Sequence, residues 1–381
     1  MADRGKLVRA IILGVVGNSV IYLIPLLIGA MVSDRGFGDR EAGLIASLEL
    51  AGYAASTLAS ALILGRFSGR RIVLVGACLM VGANLGATMV HGREAFELMR
   101  FISGLGAGAL AAIANVALGE TDRPERNYGL LFASSLLFGT AGLWGLPLLL
   151  GRFGLNGAYW FIAMLALAAG AAPGRAFSAS AVIRGEGRKA NSAHRGSWLL
   201  AGTVLASVLF FWGQQNAVYA YLERIGQSDR LSPEFIGFTL GAANLAGFVG
   251  ASMVVWTGNR LGRVAPLTCS LLVQLLCLGL LAAHDGALVY FASIALLALA
   301  WNVVNPFQLA ILAGVDPSGK ALALAATVTG AGLAAGPAAG ALVIGIGGYR
   351  AILWLAALTA VSSVLLLLPV VRAKSYELVA G

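Results

Sequence analysis

Charge is what this chain has least of. Only 11% of its 381 residues are charged and 59% are hydrophobic, with a mean hydropathy of +0.86. A soluble domain is about 45–50% apolar and roughly 25% charged. The apolar surplus is too great for a water-soluble core, so the solvent must be lipid. A soluble enzyme, a secreted disulfide scaffold and a disordered tail are excluded. Cysteine is scarce too: Cys78, Cys269 and Cys277 lie in apolar runs and form no C-x-x-C, so neither a disulfide framework nor a zinc site is expected. His91, His194 and His284 lie in or beside loops without clustering. No nucleophile–His–acid set appears at membrane depth, and no metal, cofactor or enzymatic chemistry is expected. No cleaved signal peptide is expected either, because the first apolar run is too long for an h-region and lacks a convincing cleavage site. The net charge of +9 does not indicate nucleic acid, since the basic residues sit between apolar runs rather than along one face.

Long apolar runs are what the chain does have. A spanning helix needs about 20 predominantly apolar residues. Such runs fall near 7–32, 41–64, 72–90, 96–118, 128–150 and 157–172, and again near 198–222, 233–257, 265–283, 287–312, 321–346 and 349–371. The expected fold is therefore all-α and integral to the membrane, with twelve transmembrane helices. Of the 26 basic residues, 18 fall in loops on one side and 7 on the other, with Arg100 inside a span. Lys and Arg accumulate on the cytoplasmic side, which predicts a multi-pass inner-membrane protein with both termini and the central loop in the cytoplasm.

The chain also matches itself at about half its length. Gly69 and Gly262, His91 and His284, Cys78 and Cys269, and Asp122 and Asp316 are pairs separated by 191 to 194 positions. AGLWGLP at 141–147 reappears as AGLAAGP at 331–337, and ELAGY at 49–53 as NLAGF at 244–248. These matches predict two parallel six-helix repeats: an N-terminal bundle over 1–172, a Ser-, Gly- and Arg-rich linker over 173–197, and a C-terminal bundle over 198–381.

Several motifs then carry a resemblance. Gly65-Arg66-Phe67-Ser68-Gly69-Arg70-Arg71, between the second and third runs, resembles the G-x-x-x-D-R-x-G-R-R loop of the major facilitator superfamily. Asn259-Arg260-Leu261-Gly262-Arg263 resembles it again in the second half. The run from Arg100 through Gly104, Gly106 and Gly108 resembles that superfamily's R-x-x-x-G-x-G stretch, and Gly139, Gly142, Gly145 and Pro147 resemble the Gly-Pro motif of its proton-driven exporters. The resemblance spans the whole chain and implies alternating access, with Arg66, Gly69, Arg70, Arg71, Asn259, Arg260, Gly262 and Arg263 in gating loops. The loops depart from the motif by lacking its acidic residue. The gate is expected to rest on arginines, glycine turns and helix-end carbonyls.

Two charged side chains lie clearly within the runs, Glu49 and Arg100. A charge at a helix centre costs about 2.5–3.5 kcal/mol to insert, so such residues usually face the interior and find a partner. Glu49 has Asn244 as its repeat mate, so this charge belongs to one half only. That asymmetry suits a proton-coupling site, because a carboxyl held out of water can take up and release a proton; the alternative is a packing residue. Arg100 either pairs with Glu49 or holds an anionic solute, or its long stem snorkels to the interface.

Candidate solute-binding residues are amides and aromatics. Gln214, Gln215, Asn216 and Tyr219 interrupt the seventh run, and Trp301, Asn302, Asn305 and Gln308 the tenth. Asn18, Tyr22 and Asn115 are weaker candidates in the first and fourth. Amides donate and accept without charge and indoles offer a stacking face, which suits a small polar or aromatic molecule. The competing reading is interhelical amide glue. Three consecutive amides cannot all face one way, so at least one is expected to be structural. The glycines at 104, 106 and 108, at 237, 241, 247 and 250, and at 330, 332, 336 and 340 are expected to let backbones approach closely.

The expected function is secondary transport of a small organic solute, coupled to protons and leaning to efflux by proton antiport. The alternative is an importer or facilitator of a neutral, sugar-like or aromatic solute. Expected partners are the solute, protons and the bilayer, with no nucleic acid and no obligate protein partner.

Overall fold

The computed structural model describes residues 2–63, 66–121, 123–171, 195–257, 262, 264–283, 286–316 and 320–380. The expected linker over 173–197 falls almost wholly outside them. Among the described residues every regular element is a helix: α1 (Ala2–Tyr22), α2 (Ile24–Arg35), α3 (Asp39–Ile63), α4 (Gly69–Met89), α5 (Arg93–Gly119), α6 (Pro124–Ala171), α7 (Arg195–Ser228), α8 (Pro233–Thr257), α9 (Val264–Ala283), α10 (Ala287–Val315) and α11 (Lys320–Ala380). The chain divides into two compact units, Met1–Arg184 and Gly185–Gly381.

Three features depart from the spans read in the sequence. The first run, expected as one helix over 7–32, breaks at Leu23 between α1 and α2. Pro25 has no N–H for the carbonyl four residues back, and its ring crowds that carbonyl. Second, ten helices among the described residues are long and apolar enough to cross a membrane, where twelve were expected. The difference lies in Arg126–Ala171 (46 residues) and Leu324–Val371 (48 residues), each more than twice the roughly 20 residues of one crossing. Neither is straight. Gly154 leaves helical geometry at φ 60°, ψ −161°, and Gly347 and Gly348 do so in α11, Gly348 at φ 64°. Only glycine enters that positive-φ region without strain, so these residues divide α6 and α11 into two arms each without an intervening loop. Third, α7 continues to Ser228, six residues past the expected end, and carries Glu223 with it as a further buried acid.

In the first unit α5 is the central helix, packed against α3, α4 and α1. It is the most buried of the membrane-length helices among the described residues. Glycines set its distance from α3: a methyl group on Gly104 would overlap the Glu49 carbonyl oxygen, and one on Gly108 the Tyr53 carbonyl oxygen. In the second unit α7 packs against α11, and α8 and α9 pack against α10. A methyl on Gly250 of α8 would overlap the Leu299 carbonyl of α10, so the α8–α10 seam repeats the α3–α5 one.

The far end of α2 is tied down by polar contacts. Arg35 donates from Nη1 to the Val90 carbonyl at 3.0 Å, and from Nη2 to the Ala87 carbonyl at 2.9 Å and Asn156 Oδ1 at 3.0 Å. Asp34 accepts the Leu155 N–H at 2.7 Å, beside the Gly154 bend. Arg35 is thus a half-buried staple on the carbonyl end of α4, where a cation also meets the negative end of the helix dipole.

Candidate functional site

The buried Glu49–Arg100 pair sits between α3 and α5. Arg100 Nη1 donates to Glu49 Oε1 at 3.3 Å, and the two side chains are 1% and 5% exposed. The guanidinium does not snorkel. It stays in the interior because it finds more partners there: Nη2 donates to Asn84 Oδ1 at 3.1 Å and lies 3.5 Å from the Ala83 carbonyl. Its carbon lies 4.0 Å from the centre of the Tyr159 ring and 5.9 Å from that of Phe96. Asn84 in turn donates to the Met80 carbonyl at 2.7 Å and to Ser103 Oγ at 3.1 Å, and Ser103 also hydrogen-bonds Glu49. Glu49, Arg100, Asn84 and Ser103 therefore form a closed ring of hydrogen bonds. It can hold one proton in exchange for one ion pair.

Asn84, Ser103 and Tyr159 were absent from the sequence reading. Asn84 is the lone amide of α4, which is the one signal that could have found it. Nearby, Asn18 accepts a hydrogen bond from the Tyr53 hydroxyl at 2.8 Å, linking α1 to α3. Tyr22 is half-buried and Asn115 exposed, with its carbonyl taken by Tyr128.

In the second unit the amides separate into tied and open ones. Gln214 is buried and donates to Gln274 Oε1 at 3.0 Å, joining α7 to α9. Asn216 and Asn302 return their amides to the carbonyls of Trp212 and Ala298 on their own helices. Gln308 is fully buried, with Nε2 at 3.0 Å from Ser207 Oγ and 3.3 Å from Ser363 Oγ. Gln215 and Asn305, in contrast, are half-buried and have no hydrogen-bond partner among the described residues. Trp301 is buried with its indole N–H unpaired among those residues, as is the indole N–H of Trp212. Tyr219 is half-buried on α7. Gln274 was missed in the sequence; like Asn84, it is the lone amide of its helix.

The gating-loop residues are only partly described. Ser68 caps α4 by accepting the Arg71 N–H at 3.4 Å, and Arg66, Arg70 and Arg71 are exposed. Gly262 adopts φ 65°; Asn259, Arg260 and Arg263 lie outside the described residues. No group of three or more potential metal ligands occurs among the described residues. A separate cavity of about 310 Å³ in the second unit is lined by Ser228, Asp229, Tyr349 and Arg350 and includes none of the candidate residues above.

Comparison with known proteins follows the same lines. The sequence model of the Major Facilitator Superfamily matches residues 203–380. The POT family transporter PepTSo has a similar fold, with a TM-score of 0.77 at 11% identity over 98% of each chain. Over residues 203–380 the sequence is similar to the Major Facilitator Superfamily. A D-xylose-proton symporter is also similar in fold, with a TM-score of 0.69 at 14% identity over 96% of this chain and 95% of that one. Curated relatives include a multidrug resistance protein, MdtL, of Klebsiella pneumoniae (strain 342), 31% identical over 101 residues. That match spans 26% of this chain and 25% of the relative's own length.

Proposed function

We propose that this chain is a secondary carrier that moves a small organic solute across the cytoplasmic membrane by alternating access, coupled to protons through Glu49 and leaning to export. The buried Glu49–Arg100 pair carries this reading. An ion pair inside a lipid-facing bundle is costly, and removing one partner from such a pair costs about 3–5 kcal/mol. Hydrophobic residues of similar volume would serve packing at least as well, so the pair has to be explained by what it does. Protonation of Glu49 does what no packing residue can: it cancels the attraction between α3 and α5 without changing a covalent bond. The open amides Gln215 and Asn305 and the indole N–H of Trp301 support a neutral or weakly polar solute held by the second unit. Both termini and the linker would face the cytoplasm.

The lean toward export rests on the glycines of the first arm of α6 and on the partial match to a multidrug resistance protein. The second reading, import of a neutral sugar-like or aromatic solute, is favoured by the uncharged character of Gln215, Asn305 and Trp301. Proteoliposomes with an imposed pH gradient test the coupling. Glu49→Gln keeps the size and hydrogen-bonding capacity of the side chain but cannot ionise. Gradient-driven accumulation should fail while solute exchange between equal pools survives. Full accumulation by the Glu49→Gln protein would make the carboxyl a packing group, and the direction of flux relative to the gradient separates export from import.

A further inference from the structure

When Glu49 takes a proton, Arg100 is left as a buried cation. Its remaining contacts decide whether it stays where it is. One hydrogen bond of the guanidinium goes to Glu49; the other close contacts go to Asn84, the Ala83 carbonyl and the face of Tyr159. None of these depends on the charge of Glu49. The Asn84 amide cannot turn away, because its nitrogen is held by the Met80 carbonyl and Ser103 and its oxygen is left for Arg100. Tyr159 is fully buried, yet its hydroxyl has no hydrogen-bond partner among the described residues. The polar atom that distinguishes tyrosine from phenylalanine therefore does nothing for the fold. The ring face does: its centre is 4.0 Å from the guanidinium carbon, a geometry in which the aromatic quadrupole attracts a cation. Phe96 is more distant and is shared with Arg35, 5.7 Å from the same ring on its other contact.

We propose that Tyr159 is a positioning residue, whose ring holds the Arg100 guanidinium in place on the α4–α6 side while Glu49 is protonated. The inference rests on Glu49 being the proton-bearing group. It makes α3 the partner that is released and α5 the one that stays. The charged and titratable groups around the ring are Glu49 from α3, Arg100 from α5 and, farther out, Arg35 from α2.

The test is thermal unfolding of the purified full-length protein across pH, for Tyr159→Phe and Tyr159→Leu, each in the native and the Glu49→Gln background. Tyr159→Phe keeps the ring and should match the native protein throughout. Tyr159→Leu should lower Tm modestly at high pH, where Glu49 still pairs with Arg100, and by several degrees more at low pH. In the Glu49→Gln background the larger deficit should appear at every pH. Tyr159→Met, which fills more of the space but has no aromatic face, replaces Leu should that variant not fold. A deficit that is the same in both backgrounds and at every pH would reduce Tyr159 to a space-filling residue. Failure of Phe to substitute would assign the role to the hydroxyl and overturn the proposal. Retained accumulation by Glu49→Gln in proteoliposomes, alongside a background-dependent Tyr159→Leu deficit, would sink the proton reading and leave the positioning of Arg100 intact.

Discussion

Gln215 and Asn305 differ from the amides beside them in having nothing to bond to among the described residues. A half-buried amide without a partner carries a desolvation cost that a solute could relieve. Gln215→Ala and Asn305→Ala are therefore expected to weaken solute binding by about 1–3 kcal/mol each, or roughly 5- to 150-fold, while protein abundance stays near normal. Gln308→Ala should behave in the opposite way. Its amide joins α7, α10 and α11 through Ser207 and Ser363, so its loss should lower Tm and yield but leave affinity per folded molecule unchanged. Isothermal titration and thermal unfolding of the three proteins separate the two outcomes. The candidates divide in this way for a reason the sequence does not contain. A charge in an apolar run is conspicuous, so Glu49 and Arg100 were legible. An amide or a tyrosine in a helix is common, and its partner lies tens of positions away: Gln274 is 60 residues from Gln214, and Ser363 is 55 from Gln308. Tyr159 could not have been chosen from the sequence, since only the folded chain lays its ring on Arg100.

At the scale of helices, the α3–α5 seam is set by backbone rather than by side chains. Gly104 and Gly108 bring the two main chains so close that a Cβ has no room, and the atoms it would meet are carbonyl oxygens, which cannot turn aside. Gly104→Ala should force the helices apart and cost about 1–3 kcal/mol, seen as a lowered Tm and weakened accumulation together. Gly82→Ala on α4 is the control: nothing lies within 4 Å of its Cβ position, and alanine is the better helix former by about 1 kcal/mol. At the opposite end of the seam, Arg93 bonds both Glu41 of α3 and Glu97 of α5. Exposed pairs of that kind are screened by solvent and contribute little, so they offer little resistance to movement of α3. Most helix bounds were legible in the sequence because lipid demands long uninterrupted apolar stretches. The break at Leu23 was not, because Pro25 is itself compatible with an apolar run. The joins at Gly154 and Gly347–Gly348 fall where the apolar runs end in the sequence, at 150/157 and 346/349; what was hidden is that glycine at positive φ turns the chain there without a loop.

For the molecule as a whole, the repeat and the site have opposite symmetries. The seams recur, with Gly52 and Gly247 both at the close approach between paired helices, but the Glu49 carboxyl does not: Asn244 stands where the first unit has it. The duplicated scaffold was visible in the sequence offsets, and so was the one-sided charge. The ring through Asn84 and Ser103 that sustains this charge was not. That ring has an electrical consequence. With Glu49 ionised, the couple with Arg100 is neutral and feels no force from the membrane potential. With Glu49 protonated and Arg100 retained, the same place carries one net positive charge, and moving a unit charge across the full membrane field is worth about 2.3 kcal/mol per 100 mV. Export of a neutral solute should then draw on voltage as well as on the pH difference. Steady charge transfer under a pH difference, measured on a solid-supported membrane, should accompany transport in the native protein and be absent in Glu49→Gln. With Arg100 permanently uncompensated and no proton cycling, that variant should give only a transient displacement. A steady signal of equal size in both proteins would place the mobile charge elsewhere in the chain.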